Sequence, residues 1–96
     1  MKIGMPKELN ITTKSTAGEI TTIMFKKPVH SILIENRSEK YALYASFNMG
    51  EDWVEIPCGF GYYDLFASMG KPIILLKSDG ESQPVRIVYR LVEGGR

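Results

Sequence analysis

Cysteine and histidine are almost missing from these 96 residues, with one of each, Cys58 and His30. A single thiol cannot close an intramolecular disulfide, so the fold does not depend on an oxidising compartment. One histidine and one cysteine also leave no spacing for a zinc site or a Cys–His nucleophile pair. His30 is expected to be a structural or surface residue, and Cys58, inside Pro57-Cys58-Gly59, a small packed side chain at a bend. No apolar run approaches the ~18–20 residues needed to span a bilayer. Met1–Lys7 has no apolar stretch of signal-peptide length, so synthesis in a cytoplasm is the expectation. Asn10-Ile11-Thr12 and Asn36-Arg37-Ser38 match the glycosylation sequon, and without a secretion signal both read as chance matches. Charge of one sign is lacking too. A net charge of +1 argues against a dedicated nucleic-acid binder.

What is present is enough for one core. Hydrophobic residues make up 44% and charged residues 24%, so the chain can bury the apolar surface that offsets its ordering entropy, and disorder is not expected. A chain this short forms one domain. The charge is segregated along it. Residues 1–30 carry five Lys against two Glu (net +3), and residues 31–70 two basic against six acidic side chains (net −4). Residues 71–96 carry five basic against three acidic (net +2). Such segregation is either three solvated surfaces or electrostatic complementarity between copies or with a charged partner.

Strand signals dominate. Val85, Ile87, Tyr89 and Leu91 alternate with Arg86, Val88 and Arg90, the period of a half-buried strand over Gln83–Val92. Ile73-Ile74-Leu75-Leu76-Lys77 reads as a strand covered on both faces. The Asp79-Gly80 turn between these two predicts a hairpin. A second hairpin is predicted from Tyr41–Phe47, the turn Asn48–Asp52 and Trp53–Ile56, stopped by Pro57. This hairpin is expected to bring Phe47 and Trp53 together in the core. Val29–Glu35, Leu9–Lys14 and Glu19–Phe25 supply further strands. Tyr62–Met69 fits a helical turn or a strand, and a strand or short irregular link is preferred. No segment sustains a helical period. Seven or eight short antiparallel strands make an all-β sandwich or small barrel-like fold. Residues 15–96 form the sandwich domain. Residues 1–14, whose Ile3, Met5 and Leu9 are sparse, are either a docking arm carrying Lys2, Lys7 and Lys14 or a strand of the domain's own sheet.

No catalytic or metal-binding constellation can be assembled, and no cofactor is expected. Glu51, Asp52, Glu55 and Asp64 are the densest acids, but their spacing does not match a calcium loop, and two of them fall in a predicted turn. Gly59-Phe60-Gly61 lacks the strand–helix unit of a phosphate loop, and its glycines suit a bend or bulge. Trp53, Phe60, Tyr62 and Tyr63 are core aromatics or an aromatic platform for carbohydrate.

From Ile34 onward several turn-and-core patterns follow one another: Ile34-Glu35-Asn36, Ser46-Phe47-Asn48-Met49-Gly50, Trp53, Ile56-Pro57-Cys58-Gly59 and the apolar run ending Leu76-Lys77-Ser78. This order resembles small β-sandwich virion proteins of tailed bacteriophages, the kind that decorate capsids or sit at head–tail junctions. The similarity covers roughly the last two-thirds of the chain and leaves Met1–Lys27 outside it. The resemblance implies a non-enzymatic structural protein, a capsid decoration (cement) subunit or a head–tail connector, bound to copies of itself and to other virion proteins. The alternative is a carbohydrate- or receptor-binding module. Lys2, Lys7, Lys14, Trp53, Tyr62 and Tyr63 are the expected partner-binding residues.

Overall fold

The computed structural model describes residues 2–68 and 70–93, without the side chains of Phe66 and Ser68. Its strands are β1 (Lys2–Ile3), β2 (Lys7–Thr12), β3 (Thr21–Met24), β4 (Val29–Asn36), β5 (Leu43–Ser46), β6 (Val54–Ile56), β7 (Gly61–Ser68), β8 (Ile73–Ser78) and β9 (Pro84–Glu93). No helix occurs among the described residues. The strands form two antiparallel sheets. The first runs β9, β4, β7, with both β1 and β2 on the far side of β9; the second runs β3, β8, β5, β6.

Alternation explains the layering, because each strand turns every second side chain inward. Ile32 and Ile34 of β4 and Val85 and Ile87 of β9 face Leu43, Ile56, Ile74 and Leu76 from the second sheet, all fully enclosed. Burying each such side chain contributes about 1.5–3 kcal/mol. Phe25 meets Tyr89 edge-on at 4.8 Å and Phe47 stacks on Tyr62 at 5.8 Å, so aromatic pairs tie the sheets together at both margins of this core.

The central hairpin is present, with Leu43 opposite Ile56 and Ala45 opposite Val54. The hairpin predicted for Ile73–Lys77 and Gln83–Val92 is not. β8 pairs with β3 and β5 in one sheet, and β9 with β4, β1 and β2 in the other. The 79–83 connection is therefore an arch over the end of the sandwich. Asp79 N–H donates to the Ala42 carbonyl and Ser82 N–H to that of Lys14, while Ser82 takes the positive φ (47°). Each strand has a buried face, and facing across the core lets both bury it. Tyr62–Met69, ambiguous in sequence, falls on the full strand Gly61–Ser68 on the free side of β4, with Met69 outside the described residues.

Segment 2–12 belongs to its own sheet here. Lys7–Thr12 runs along Tyr89–Pro84 in unbroken register, and Lys2 and Ile3 lie opposite Glu93 and Val92. Of the two placements expected for the N-terminal segment, the structure has the strand.

At the bottom of the sandwich Asn36 is 2% exposed and joins the two sheets. Its Nδ2 donates to the carbonyls of Tyr41 and Ile56, both at 2.9 Å, and its Oδ1 accepts from Ser38 N–H at 3.0 Å. Ser38 Oγ continues the network, donating to Gln83 Oε1 and accepting from the Lys40 and Tyr41 amides. An aspartate at this position cannot donate to two carbonyls and would be charged. Asn36→Asp should therefore cost about 2–4 kcal/mol at neutral pH and lower the melting temperature by about 10 °C or more. A loss below about 1 kcal/mol in urea unfolding would remove Asn36 from its central place.

Candidate partner-binding surface

The expected binding residues do not converge. Trp53 is half-buried on the far side of the second sheet, with Lys77 Nζ 4.2 Å from its ring centre. Gly50, at φ 91°, lets the Asn48–Asp52 turn close down on Trp53 and Leu75. Ser46 Oγ holds that turn by accepting from Gly50 N–H at 2.7 Å, and Asn48 Oδ1 accepts from Asp52 N–H at 2.9 Å. Phe47 and Trp53 thus part company: Phe47 packs inward on Tyr62, and Trp53 lies outside the inter-sheet core.

Tyr62 and Tyr63 are neighbours on β7 and so point to opposite faces. Tyr62 is half-buried and donates its hydroxyl proton to Asp64 at 2.9 Å. Burial, and then this bond and the carboxylate's charge, push the Tyr62 hydroxyl pKa up. Tyr63 is 61% exposed, beside Leu65 at 49%. Trp53, Tyr62 and Tyr63 therefore share no plane, and Phe60, though exposed, projects from the preceding turn.

The acids are also dispersed. Glu51 and Asp52 are in the hairpin turn, Glu55 on β6 and Asp64 in the other sheet. No group of three or more His, Cys, Asp or Glu residues suited to a metal occurs among the described residues. Cys58 is exposed rather than packed, because the turn Pro57–Phe60 stands outside both sheets. His30 is half-buried at the β-bulge between Val29 and Ser31.

What the fold does assemble is the outer face of the first sheet, a surface that strand periodicity alone could not reveal. Register places Val88, Leu33 and Tyr63 side by side across β9, β4 and β7, with Leu65 beyond Ser31 in the next row. A shallow depression of about 250 Å³ lies here, lined by Pro6, Leu33, Tyr63, Val88 and Arg90 among others. Beside this apolar row runs a charged one. Arg86 bridges Glu35 at 2.9 Å and Glu8 at 3.2 Å, and Arg37 approaches Glu35 at 3.6 Å.

The lysines sit at one margin. Lys2 and Lys7 are exposed on β1 and β2, and Lys14 follows β2. Lys27 pairs with Glu93 at 3.0 Å. No family model and no curated protein matches the chain.

The hydrogen bond from Arg86, then that from Asn10, hold the Glu8 carboxyl below its ordinary 4.5; Lys27 does the same to Glu93. A depressed folded-state pKa contributes stability above the unfolded value, lost as pH falls through the folded one. Melting temperature should therefore decline below about pH 4.5, and Glu8→Gln should flatten part of that decline. Because the Glu8 pair is solvent-exposed, the substitution should move the neutral-pH melting temperature by only about a degree or two. An unchanged acid profile in Glu8→Gln would show that the ion pair is not formed in solution.

Proposed function

We propose that this protein is a non-enzymatic structural subunit of a virion, made in the host cytoplasm, that works by adhesion as a capsid decoration subunit. Copies bind one another and the shell, burying apolar surface and stabilising the assembled state by mass action. The observation that carries the adhesive part is the first sheet itself. Its outer face presents Tyr63 and Leu65, exposed and continuous with Leu33 and Val88, beside a strand edge eight residues long. Exposed apolar side chains next to unpaired backbone are the features of a docking surface, and edges left open in this way are otherwise a liability. The virion part is supported by the turn-and-core patterns from Ile34 onward.

A head–tail connector would use the same surface in a different place. A sugar-binding module has less support, because Trp53 and Tyr62 are engaged by Lys77 and Phe47 and stand apart from Tyr63.

Multi-angle light scattering across a concentration series tests adhesion. The wild-type protein should give masses above 10.8 kDa. The double substitution Tyr63→Ser/Leu65→Ser should weaken association at least about tenfold, equivalent to about 1.4 kcal/mol, while leaving the fold intact. A wild-type protein that stays monomeric and does not bind capsid shells contradicts the proposal.

A further inference from the structure

We propose that the first sheet runs on from one copy to the next, with the free edge of β7 pairing antiparallel to the free edge of β2 on a neighbouring copy. This rests on the adhesive reading above and names its partner as a second copy of this chain.

Direction permits it. β2, β9, β4 and β7 alternate in direction across the sheet, so β7 of one copy set beside β2 of the next is antiparallel like every other pair.

The backbone groups are in phase as well. Thr13 N–H bonds the Gln83 carbonyl, which places Ile11, Leu9 and Lys7 in the hydrogen-bonded pairs with β9. Glu8, Asn10 and Thr12 therefore turn their N–H and C=O groups away from the sheet. Asn36 N–H bonds the Phe60 carbonyl, so Tyr62 and Asp64 face β4, and Gly61, Tyr63 and Leu65 turn outward. Inner faces match: Lys7, Leu9 and Ile11 lie opposite Tyr89, Ile87 and Val85, while Tyr62 and Asp64 lie opposite Ile34 and Ile32.

Charge selects the register. Asp64 is the only charged residue of β7, and Lys7 the only cation of β2. Setting Lys7 of the neighbouring copy opposite Asp64 brings its Leu9 opposite Tyr62, its Glu8 opposite Tyr63 and its Asn10 opposite Gly61. Pro6 then stands opposite Leu65 and, lacking an N–H, ends the ladder. A shift of two residues puts Asp64 against Leu9 or Met5 and loses the ion pair. Pairing β7 with β7 offers an aspartate to an aspartate-bearing strand, with no cation in either. The wider charge agrees, with net +3 over residues 1–30 and −4 over 31–70. In the second sheet the edge strands β3 and β6 have only four and three residues. A contact of this kind is heterologous, so it closes into a ring or extends as a filament.

Disulfide trapping tests it. Lys7 and Asp64 would form a non-hydrogen-bonded pair, whose Cβ atoms lie about 4.5–5.5 Å apart, close to disulfide reach. K7C and D64C are made separately in a C58S background, since Cys58 is exposed. Each variant's melting temperature is checked, and the two are held in glutathione redox buffer alone and mixed. The contact predicts a covalent dimer in the mixture, at least tenfold above either variant alone. Equal cross-linking of D64C with itself overturns it in favour of β7 self-pairing. No cross-link in the mixture, with wild-type association intact, overturns this contact and leaves the adhesive reading standing. A wild-type monomer at every concentration overturns both.

Discussion

The side-chain amide of Asn36 holds the two sheets in register at one end. It ends β4 in the first sheet and donates to the carbonyl of Ile56, which ends β6 in the second. Its other donor fixes Tyr41 just before β5, and its oxygen starts the Ser38 turn. Each of these groups is buried or partly buried, and each would otherwise be an unsatisfied polar group costing about 1–3 kcal/mol. Apolar packing between sheets is non-directional and tolerates sliding. Three hydrogen bonds from one rigid amide do not. Gly80 fits into the same end with its Cα against the Tyr41 ring, so close that a Cβ would collide with it. The relative placement of the sheets follows from this end, as does the arch that sends β9 into the sheet opposite β8.

That placement determines what is left over. The second sheet finishes in short strands, while the first finishes in β7 and β2, both long enough to accept another strand. Its outer face divides into a row in which Arg86 pairs with Glu35 and a row of Val88, Leu33 and Tyr63 that ends at Glu8 on β2, whose carboxylate reaches across to Arg86. The apolar row meets the β7 edge at Tyr63. An edge-to-edge contact there would carry one copy's apolar row toward the next copy's margin.

Much of the strand content was legible, because inward side chains alternate with outward ones and Val85, Ile87 and Leu91 are buried as their spacing implies. The partner of each strand was not. Asp79-Gly80 is compatible with a hairpin turn and with an arch, and only the burial of both flanking strands against different sheets separates them. Asn36, Ser46, Asn48 and Gly50 stood out in the sequence as turn patterns. The weight of Asn36 lies in its hydrogen bond to the distant Ile56, which no local pattern contains, whereas Ser46, Asn48 and Gly50 bond within their own turn. Trp53 was misplaced for a related reason: a turn that folds over the outside of a sheet half-buries an aromatic without carrying it into the core. The Val88–Leu33–Tyr63 row joins residues from three strands far apart in sequence, so it exists only once register is known.

Backbone amide exchange followed residue by residue at low and high protein concentration tests the central claim most directly, that the free edges of the first sheet mate with each other. In dilute solution Tyr62 and Asp64, bonded to β4, should be protected, while Tyr63 and Leu65 on β7 and Glu8 and Asn10 on β2 should exchange freely. As concentration rises, the Tyr63, Glu8 and Asn10 amides should become protected together. Leu65 would donate to the Pro6 carbonyl in the last pair of the ladder, where fraying is greatest, and should gain less. Protection that rises on β7 without rising on β2, or on neither edge while the protein associates, would contradict the account.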